Sequence, residues 1–582
     1  MATVPDWLKD FRATVEDGLS ISHGIPLSEE KGNGALTLGA YFREITERFG
    51  PNEMGCQRKP GLPPSRENME RWTYREAWDR AMAVARSLVA CEVGKGVRVA
   101  TMTTNRLEYF PGFFGTALAG GVATPLSTFS TPAELEVILE KSCVSVLMLE
   151  RHVLKKDFAQ ILIDLDPSIG TAKPGEIRSV KFPYLRHVAL VDSDEGIGGI
   201  EGWSSFIARG VGVSDDIVEA RCAAVAPADP GVLFFSSGST GKPKGILTAH
   251  RSVCLQLWRW PRWYRIVHEK IRSWTANGFF WSGNWGMTMG STLSTGGCIV
   301  LQPTFVADEA LRLMEQERVT KLIAWPHQWA ALEAAPNFLE TDLSAMHYVP
   351  YDTPVGKHPT VKTDWLDNRA AYGNTETFTL ITAYPSNTPE EIGKGSHGVP
   401  TPGSTIKIVD SMTGETMPLG ERGEIAVKGP TCMLGYIGVP LDESVDADGF
   451  LRCADGGYLD KDGRLYWEGR LNDIIKTGGA NVSPIEIDEI LNRCPGVKAI
   501  QTVGVPDELL GELVVSCIVP HAGASVSQAD VQAFAREKLA SYKVPRRVLF
   551  FDESELNLTG SAKIKAADVR KLAAERLAAE AG

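Results

Sequence analysis

Val232-Leu-Phe-Phe-Ser-Ser-Gly-Ser-Thr-Gly-Lys-Pro-Lys-Gly245 runs from four apolar side chains directly into glycines, hydroxyl groups and two lysines. The loop has the backbone N–H groups, hydroxyls and Lys244 to surround a polyphosphate. A Walker-type P-loop is excluded by two positions. That loop requires Gly five residues before its Gly-Lys pair and Ser or Thr after it, where the hydroxyl binds magnesium. Here those positions are Ser236 and Pro243. Taken alone, the stretch is also compatible with a solvated turn that binds nothing.

Working outward, 582 residues exceed the usual size of one compact domain, so at least two domains and several sheets are expected. Hydrophobic content of 43% and charged content of 23% are ordinary for a soluble globular protein. The net charge of −12, without a long basic stretch, excludes nucleic acid as the main partner and favours a small molecule. Ten scattered cysteines form no CxxC pair, and no histidine stands at metal spacing. Reduced thiols in a cytoplasmic setting, without structural zinc, are the expectation. The N-terminal residues mix both charge signs and lack the apolar stretch of a secretory signal. The run Tyr109 to Leu126 has membrane-like length but holds four glycines and two prolines, so it reads as a buried helix leading into a buried strand.

Helices and strands alternate through much of the chain. Thr73-Tyr-Arg-Glu76 is a capping box that opens a helix to about Cys91, and Val97 to Met102 reads as a strand. Thr131-Pro-Ala-Glu134 repeats the device ahead of a strand over Val144 to Leu149. This βαβ theme predicts an α/β fold with a largely parallel sheet. From about residue 395, Gly and Pro punctuate short alternating segments such as Ser404 to Val409 and Gly423 to Val427, the pattern of a small β-rich subdomain. After Arg470 the pattern changes again. Ser483-Pro-Ile-Glu486 caps a helix through Leu491, Leu513 to Pro520 reads as a strand and Ala529 to Leu539 as a helix. The chain thus divides into a large N-terminal domain, 1–471, and a small α+β C-terminal domain, 472–582.

Further motifs join the opening loop. Tyr372-Gly-Asn-Thr-Glu-Thr377 places a carboxylate after a Gly-containing turn, suited to a magnesium ion between phosphates. Asp455 to Arg470 offers an aspartate for a ribose diol and an arginine that can fork onto phosphate or ribose oxygens. Then come Lys476 to Glu486, Tyr542-Lys-Val-Pro545 and Leu558-Thr-Gly-Ser-Ala-Lys563-Ile. In this order and spacing the set resembles the adenylate-forming superfamily: acyl-CoA synthetases, adenylation domains of non-ribosomal peptide synthetases, and firefly luciferase. It is most like an acyl-CoA synthetase, and the resemblance spans about residues 35–570.

The resemblance implies an ATP-dependent carboxylic acid:CoA ligase, with ATP, magnesium and coenzyme A, acting in the cytoplasm in fatty acid metabolism. It implies that Ser236, Ser237, Gly238, Ser239, Thr240, Gly241 and Lys244 cover the β and γ phosphates. Thr375 would touch the α-phosphate and Glu376 would hold magnesium. Tyr372 would line the adenine pocket, Asp455 would accept from both ribose hydroxyls, and Arg470 would bind ribose or phosphate. Lys563 would bridge the substrate carboxylate and the α-phosphate. Domain rotation about a hinge at Asn472 would then bring Gly478 and Gly479 against pantetheine, where the missing side chains admit a narrow ligand. Family hinges usually carry Asp or Lys at the position of Asn472. Three more departures bear on the acid: Ala562 before the lysine, Tyr351-Asp-Thr-Pro354 for a Gly-rich stretch, and Phe279 to Trp285 at the aromatic gate. Among the tryptophans there, Trp281 and Trp285 are the candidate pocket residues. Which acid is used stays open, as does a homodimer. Transfer to a carrier-protein thiol or an amine, or a silent nucleotide- or acyl-binding protein, are the alternatives.

Overall fold

The apolar run Val232 to Phe235 lies in the strand Pro230–Ser236 of an eight-stranded sheet. The computed structural model describes residues 6–9, 11–59, 61–62, 65–236, 243–266, 270–367, 370–471, 473, 475–477, 480–507, 510–539, 543–552, 555 and 566–581. Two compact units emerge from the chain's contacts: Met1–Ala13 with His23–Thr405 and Lys428–Leu451, and Thr14–Ser22 with Ile406–Val427 and Arg452–Gly582.

In the first unit the sheet order is Ile200–Gly202, His187–Leu190, Val146–Leu149, Arg98–Met102, Val122–Pro125, Pro230–Ser236, Lys244–Ala249, Gly435–Tyr436. Pairing is parallel as far as Pro230–Ser236 and antiparallel beyond it. The parallel part is covered on both faces, which explains why Val146–Leu149 is apolar at every position. Val146 and Met148 enter one core while Leu147 and Leu149 enter another. Both expected capping boxes form, at Thr73 for the helix Tyr74–Ala90 and at Thr131 for Pro132–Ser142. The run from Tyr109 divides into the wholly buried helix Tyr109–Leu118 and the strand Val122–Pro125. Among the described residues no helix is long and apolar enough to cross a membrane. A five-stranded sheet, Lys321–Ile323, Arg272–Thr275, Cys298–Leu301, Glu53–Arg58, Met69–Thr73, builds the second layer system of this unit.

The second unit holds most of a six-stranded sheet, ordered Ala13–Val15, Ile21–Gly24, Thr405–Val409, Gly423–Lys428, Leu451–Leu459, Leu465–Arg470. It also holds the C-terminal α+β layer. There Gly511–Pro520 pairs with Val497–Asp507, Ile475–Thr477 and Arg547–Phe550. Alternation along this strand sends Val514 and Ile518 to the helices Pro484–Leu491 and Gln528–Arg536, and Val515, Cys517 and Val519 to the final helix Ala566–Ala581. The helix expected to reach Leu539 ends at Arg536, where Lys538 N bonds back to Ala535 O in a tighter turn. The architecture is therefore α/β, with a large N-terminal domain and a small α+β C-terminal domain.

Candidate active site

The opening loop connects two antiparallel strands, with Phe234 opposite Ile246, Phe235 opposite Gly245 and Ser236 opposite Lys244. A Walker-type loop joins a strand to a helix, so the hairpin agrees with the exclusion drawn from Ser236 and Pro243. Ser237, Gly238, Ser239, Thr240 and Gly241 lie outside the described residues. Lys244 is exposed, and its Nζ stands 5.5 Å from the centre of the Tyr436 ring. After the second strand comes His250, whose Nδ1 accepts from Leu38 N at 3.3 Å. Burial pushes this imidazole down to about 4, with Asp229 acting in the opposite sense, so it is neutral near pH 7 and serves packing.

Thr375, Glu376 and Thr377 form one turn of 3₁₀-helix between the strands Ala371–Asn374 and Thr379–Ala383. Asn374 fixes its start: the Asn374 side chain accepts from Thr377 N at 3.0 Å, and Asn374 N donates to Thr377 Oγ1 at 3.0 Å. Gly373 is required because a Cβ there would lie 1.7 Å from Thr379 O. Tyr372 is buried and pairs with Thr382 across the same hairpin.

Glu376 is held at both ends. Its carbonyl accepts from Met433 N at 2.7 Å, and its Oε1 accepts from the Tyr436 hydroxyl at 2.8 Å. Tyr436 sits in the short edge strand beside Lys244–Ala249, opposite Ile246. One tyrosine thus meets both the loop lysine and the turn carboxylate. Sequence reasoning missed it, although a glycine directly before an aromatic residue at the end of an apolar segment was the available signal. Ser282 Oγ lies 3.5 Å from Thr375 Oγ1, bringing the aromatic segment to the same turn. Trp281 is half-buried, edge-on to Trp325 at 5.3 Å. Trp285 is wholly buried against Phe113 at 3.8 Å, and its Nε1 donates to Phe279 O at 2.9 Å.

In the second unit Asp455 and Arg470 are direct cross-strand partners, with Arg470 Nε 3.2 Å from Asp455 Oδ1. Arg470 Nη1 also donates to Cys453 O at 3.0 Å. The Asp455 side chain is almost fully buried while half of the Arg470 side chain is exposed. Ala454, just before the aspartate, has φ +54, a left-handed backbone that a non-glycine residue adopts only when its surroundings enforce it. Ala454 N is held by Glu424 Oε1 at 3.0 Å. Asp462 is exposed in the hairpin turn, its N–H donating to Asp460 Oδ1. Ser483 caps the following helix as expected, and Lys543 Nζ pairs with Glu486 at 2.6 Å, joining the YKVP segment to that cap. Asn472, Gly478, Gly479 and Lys563 lie outside the described residues.

Residues 53–437 match the AMP-binding enzyme family, and residues 486–563 match the AMP-binding enzyme C-terminal domain. The chain belongs to the AMP-binding enzyme family. It is an adenylate-forming enzyme, most like an acyl-CoA synthetase, and as such an AMP-forming acid–thiol ligase that uses ATP and coenzyme A. One relative is the 3-[(3aS,4S,7aS)-7a-methyl-1,5-dioxo-octahydro-1H-inden-4-yl]propanoyl:CoA ligase of Mycobacterium tuberculosis, 31% identical over 517 residues, or 86% of this chain and 94% of the relative. Another is the feruloyl-CoA synthase of Amycolatopsis sp, 30% identical over 516 residues, covering 86% and 93%. The anthranilate CoA ligase AuaEII, solved with anthranoyl-AMP, shares the fold at a TM-score of 0.72 and 24% identity, covering 95% of this chain and 100% of that one.

In this adenylate-forming enzyme the donor chemistry at Glu376 suits magnesium. A carboxylate is a hard oxygen ligand, and among the described residues its Oε2 takes no hydrogen bond while Oε1 is oriented by Tyr436. A second cluster, Glu53 with Cys56 and Cys298, does not suit a cation. Arg71 and Arg272 already contact Glu53 at 3.0 and 3.1 Å, and Arg272 Nη2 lies 3.7 Å from Cys56 Sγ. Those guanidinium groups neutralise the cluster, which ties neighbouring strands together.

Proposed function

We propose that the residues gathered on the Thr375–Thr377 turn and the Lys244 strand serve the first of two half-reactions. A carboxylate oxygen of the acid attacks the α-phosphorus of ATP, the bond to pyrophosphate breaks, and acyl-AMP forms. The thiol of coenzyme A then attacks the acyl carbon, AMP departs with its oxygen, and the thioester is released. The first attack joins two anions, so positive charge and fixed donors are needed in the transition state. Ser236 through Lys244 cover the departing β and γ phosphates, and Thr375 donates to the α-phosphate. Glu376 would hold the magnesium ion that shields the phosphate charge. Tyr372 lines the adenine pocket, Asp455 accepts from the ribose hydroxyls, and Arg470 adds a fork toward ribose or phosphate. Lys563 brings its ammonium to the carboxylate and α-phosphate, and rotation of the 472–582 domain about Asn472 replaces it with Gly478 and Gly479 for the second half-reaction.

The observation that carries this reading is Tyr436, which meets Glu376 at 2.8 Å and the Lys244 ammonium across its ring face. For the acid we favour a ring-bearing acyl group. Trp281 and Trp325 offer a half-buried aromatic pair, and two relatives are named for ring-bearing acids. The test is a panel of ring-bearing and straight-chain acids with ATP, reading pyrophosphate release with and without coenzyme A. Coenzyme A-dependent thioester formation with ring-bearing acids is expected. Pyrophosphate release without any thioester would redirect the reading to a carrier-protein thiol or an amine, and no release with any acid to a silent binder.

A further inference from the structure

We propose that Gln256 is a positioning residue for the magnesium-binding carboxylate, because its side-chain amide clamps the strained bend that immediately follows Glu376. The proposal rests on the reading of Glu376 as the metal ligand.

The turn ends in Phe378 with φ +43, and Thr379 follows with φ +77. A β-branched threonine in the left-handed region is a backbone outlier, and two such residues in succession persist only where the surroundings over-determine them. Gln256 supplies that restraint. It is wholly buried on the helix His250–Trp263, and its Nε2 donates to Phe378 O at 2.9 Å and to Leu380 O at 2.8 Å. The two carbonyls flank Thr379, so both protons of one amide group are spent on a single bend. Trp260, four residues along the same helix face, donates its Nε1 to Thr379 Oγ1 at 3.3 Å. Gly286 leaves room for that indole, since a Cβ there would lie 1.9 Å from Trp260 Nε1. From the turn side, Thr377 Oγ1 donates to Thr379 O at 2.9 Å.

The clamp carries a cost that a purely structural residue would avoid. Among the described residues Gln256 Oε1 is buried without a hydrogen-bond partner. An unsatisfied acceptor beside a doubly strained backbone is retained when the conformation itself is needed. Only one residue separates Glu376 from Phe378, so the path of the bend sets the direction of the carboxylate. Buried helix, amide clamp, left-handed pair and carboxylate form one continuous chain of contacts.

Gln256→Met conserves volume and removes both donors, and Gln256→Asn leaves the donors one methylene short of the carbonyls. Pyrophosphate release is measured while magnesium is titrated at fixed ATP, with thermal melting as a separate readout. In Gln256→Met the magnesium concentration for half-maximal rate is expected to rise about tenfold, the scale of two lost hydrogen bonds, with the KM of the acid unchanged. If that variant does not fold, Gln256→Asn takes its place with the same expectation. Unchanged magnesium dependence in a folded Gln256 variant overturns the proposal, even if melting falls. Glu376→Gln separates the two levels. If it shifts the magnesium dependence and the Gln256 variants do not, the clamp alone is wrong. If Glu376→Gln leaves the dependence unchanged, the metal reading fails and takes the clamp with it.

Discussion

Tyr436 carries two contacts that differ in kind: a hydroxyl that donates to Glu376 Oε1 at 2.8 Å and a ring face 5.5 Å from Lys244 Nζ. Tyr436→Phe removes the first and keeps the second. A hydrogen bond to a charged group in a half-buried setting is worth more than a neutral one, so the variant is expected to lose about tenfold in adenylation rate. Pyrophosphate release at saturating acid checks this, and melting should stay close to the parent because the ring still fills its place. An unchanged rate would show that Glu376 needs no orientation from that hydroxyl. Gly373 illustrates the opposite case, where a residue is fixed by what it lacks, the side chain that would collide with Thr379 O. Both residues belong to one small constellation, yet only the glycine stood in a motif that could be read from the chain.

What was legible in the sequence and what was not divides by the range of the interaction. Capping boxes at Thr73 and Thr131 and the cap at Ser483 depend on residues three apart, so their patterns survive in the linear sequence. The parallel sheet followed from the alternation of strand and helix. By contrast Tyr436 and Glu376 are 60 positions apart, and Gln256 and Phe378 are 122 apart, so no local pattern announces either pair. Trp281 and Trp285 look alike in sequence, and only the packing of Phe113 against one and Trp325 beside the other separates them. The helix Pro484–Leu491 adds a titration that sequence reasoning did not reach. Burial pushes the Asp488 carboxyl up to about 7, although Thr502 N donates to its Oδ1 at 2.8 Å and works the other way. The folded state therefore binds a proton more tightly than the unfolded chain. That contribution to stability is fully present below about pH 4 and is lost as pH rises through about 7. Asp488→Asn keeps an acceptor for Thr502 N and removes the charge. It is expected to flatten the decline in melting temperature between about pH 4 and 7, and to stabilise the protein above that range. An identical decline in parent and variant would place the cause elsewhere.

At the scale of the whole molecule, the chemistry asks for two different environments in sequence. Adenylation joins two anions and calls for a cation at the reacting atoms, whereas thioester formation joins a thiol to an already activated acyl carbon and calls for close, narrow access. A single rigid site serves these demands poorly, which is the physical reason for proposing that the 472–582 domain presents Lys563 in one half-reaction and Gly478 with Gly479 in the other. The proposal separates the half-reactions experimentally. Lys563→Ala is expected to lower acyl-adenylate formation by about a hundredfold to a thousandfold, the usual loss when a preorganised donor to developing charge is removed. Thioester formation from supplied acyl-adenylate should fall far less, because under the proposed rotation the ammonium has left the site by then. The two rates are measured on the same preparation, one by pyrophosphate release and the other by appearance of acyl-CoA. Equal losses in both would mean that Lys563 supports the fold or binds nucleotide throughout the cycle. An unequal loss in the opposite sense, with transfer hit harder, would assign Lys563 to coenzyme A and leave the carboxylate and α-phosphate to Arg470 and Thr375.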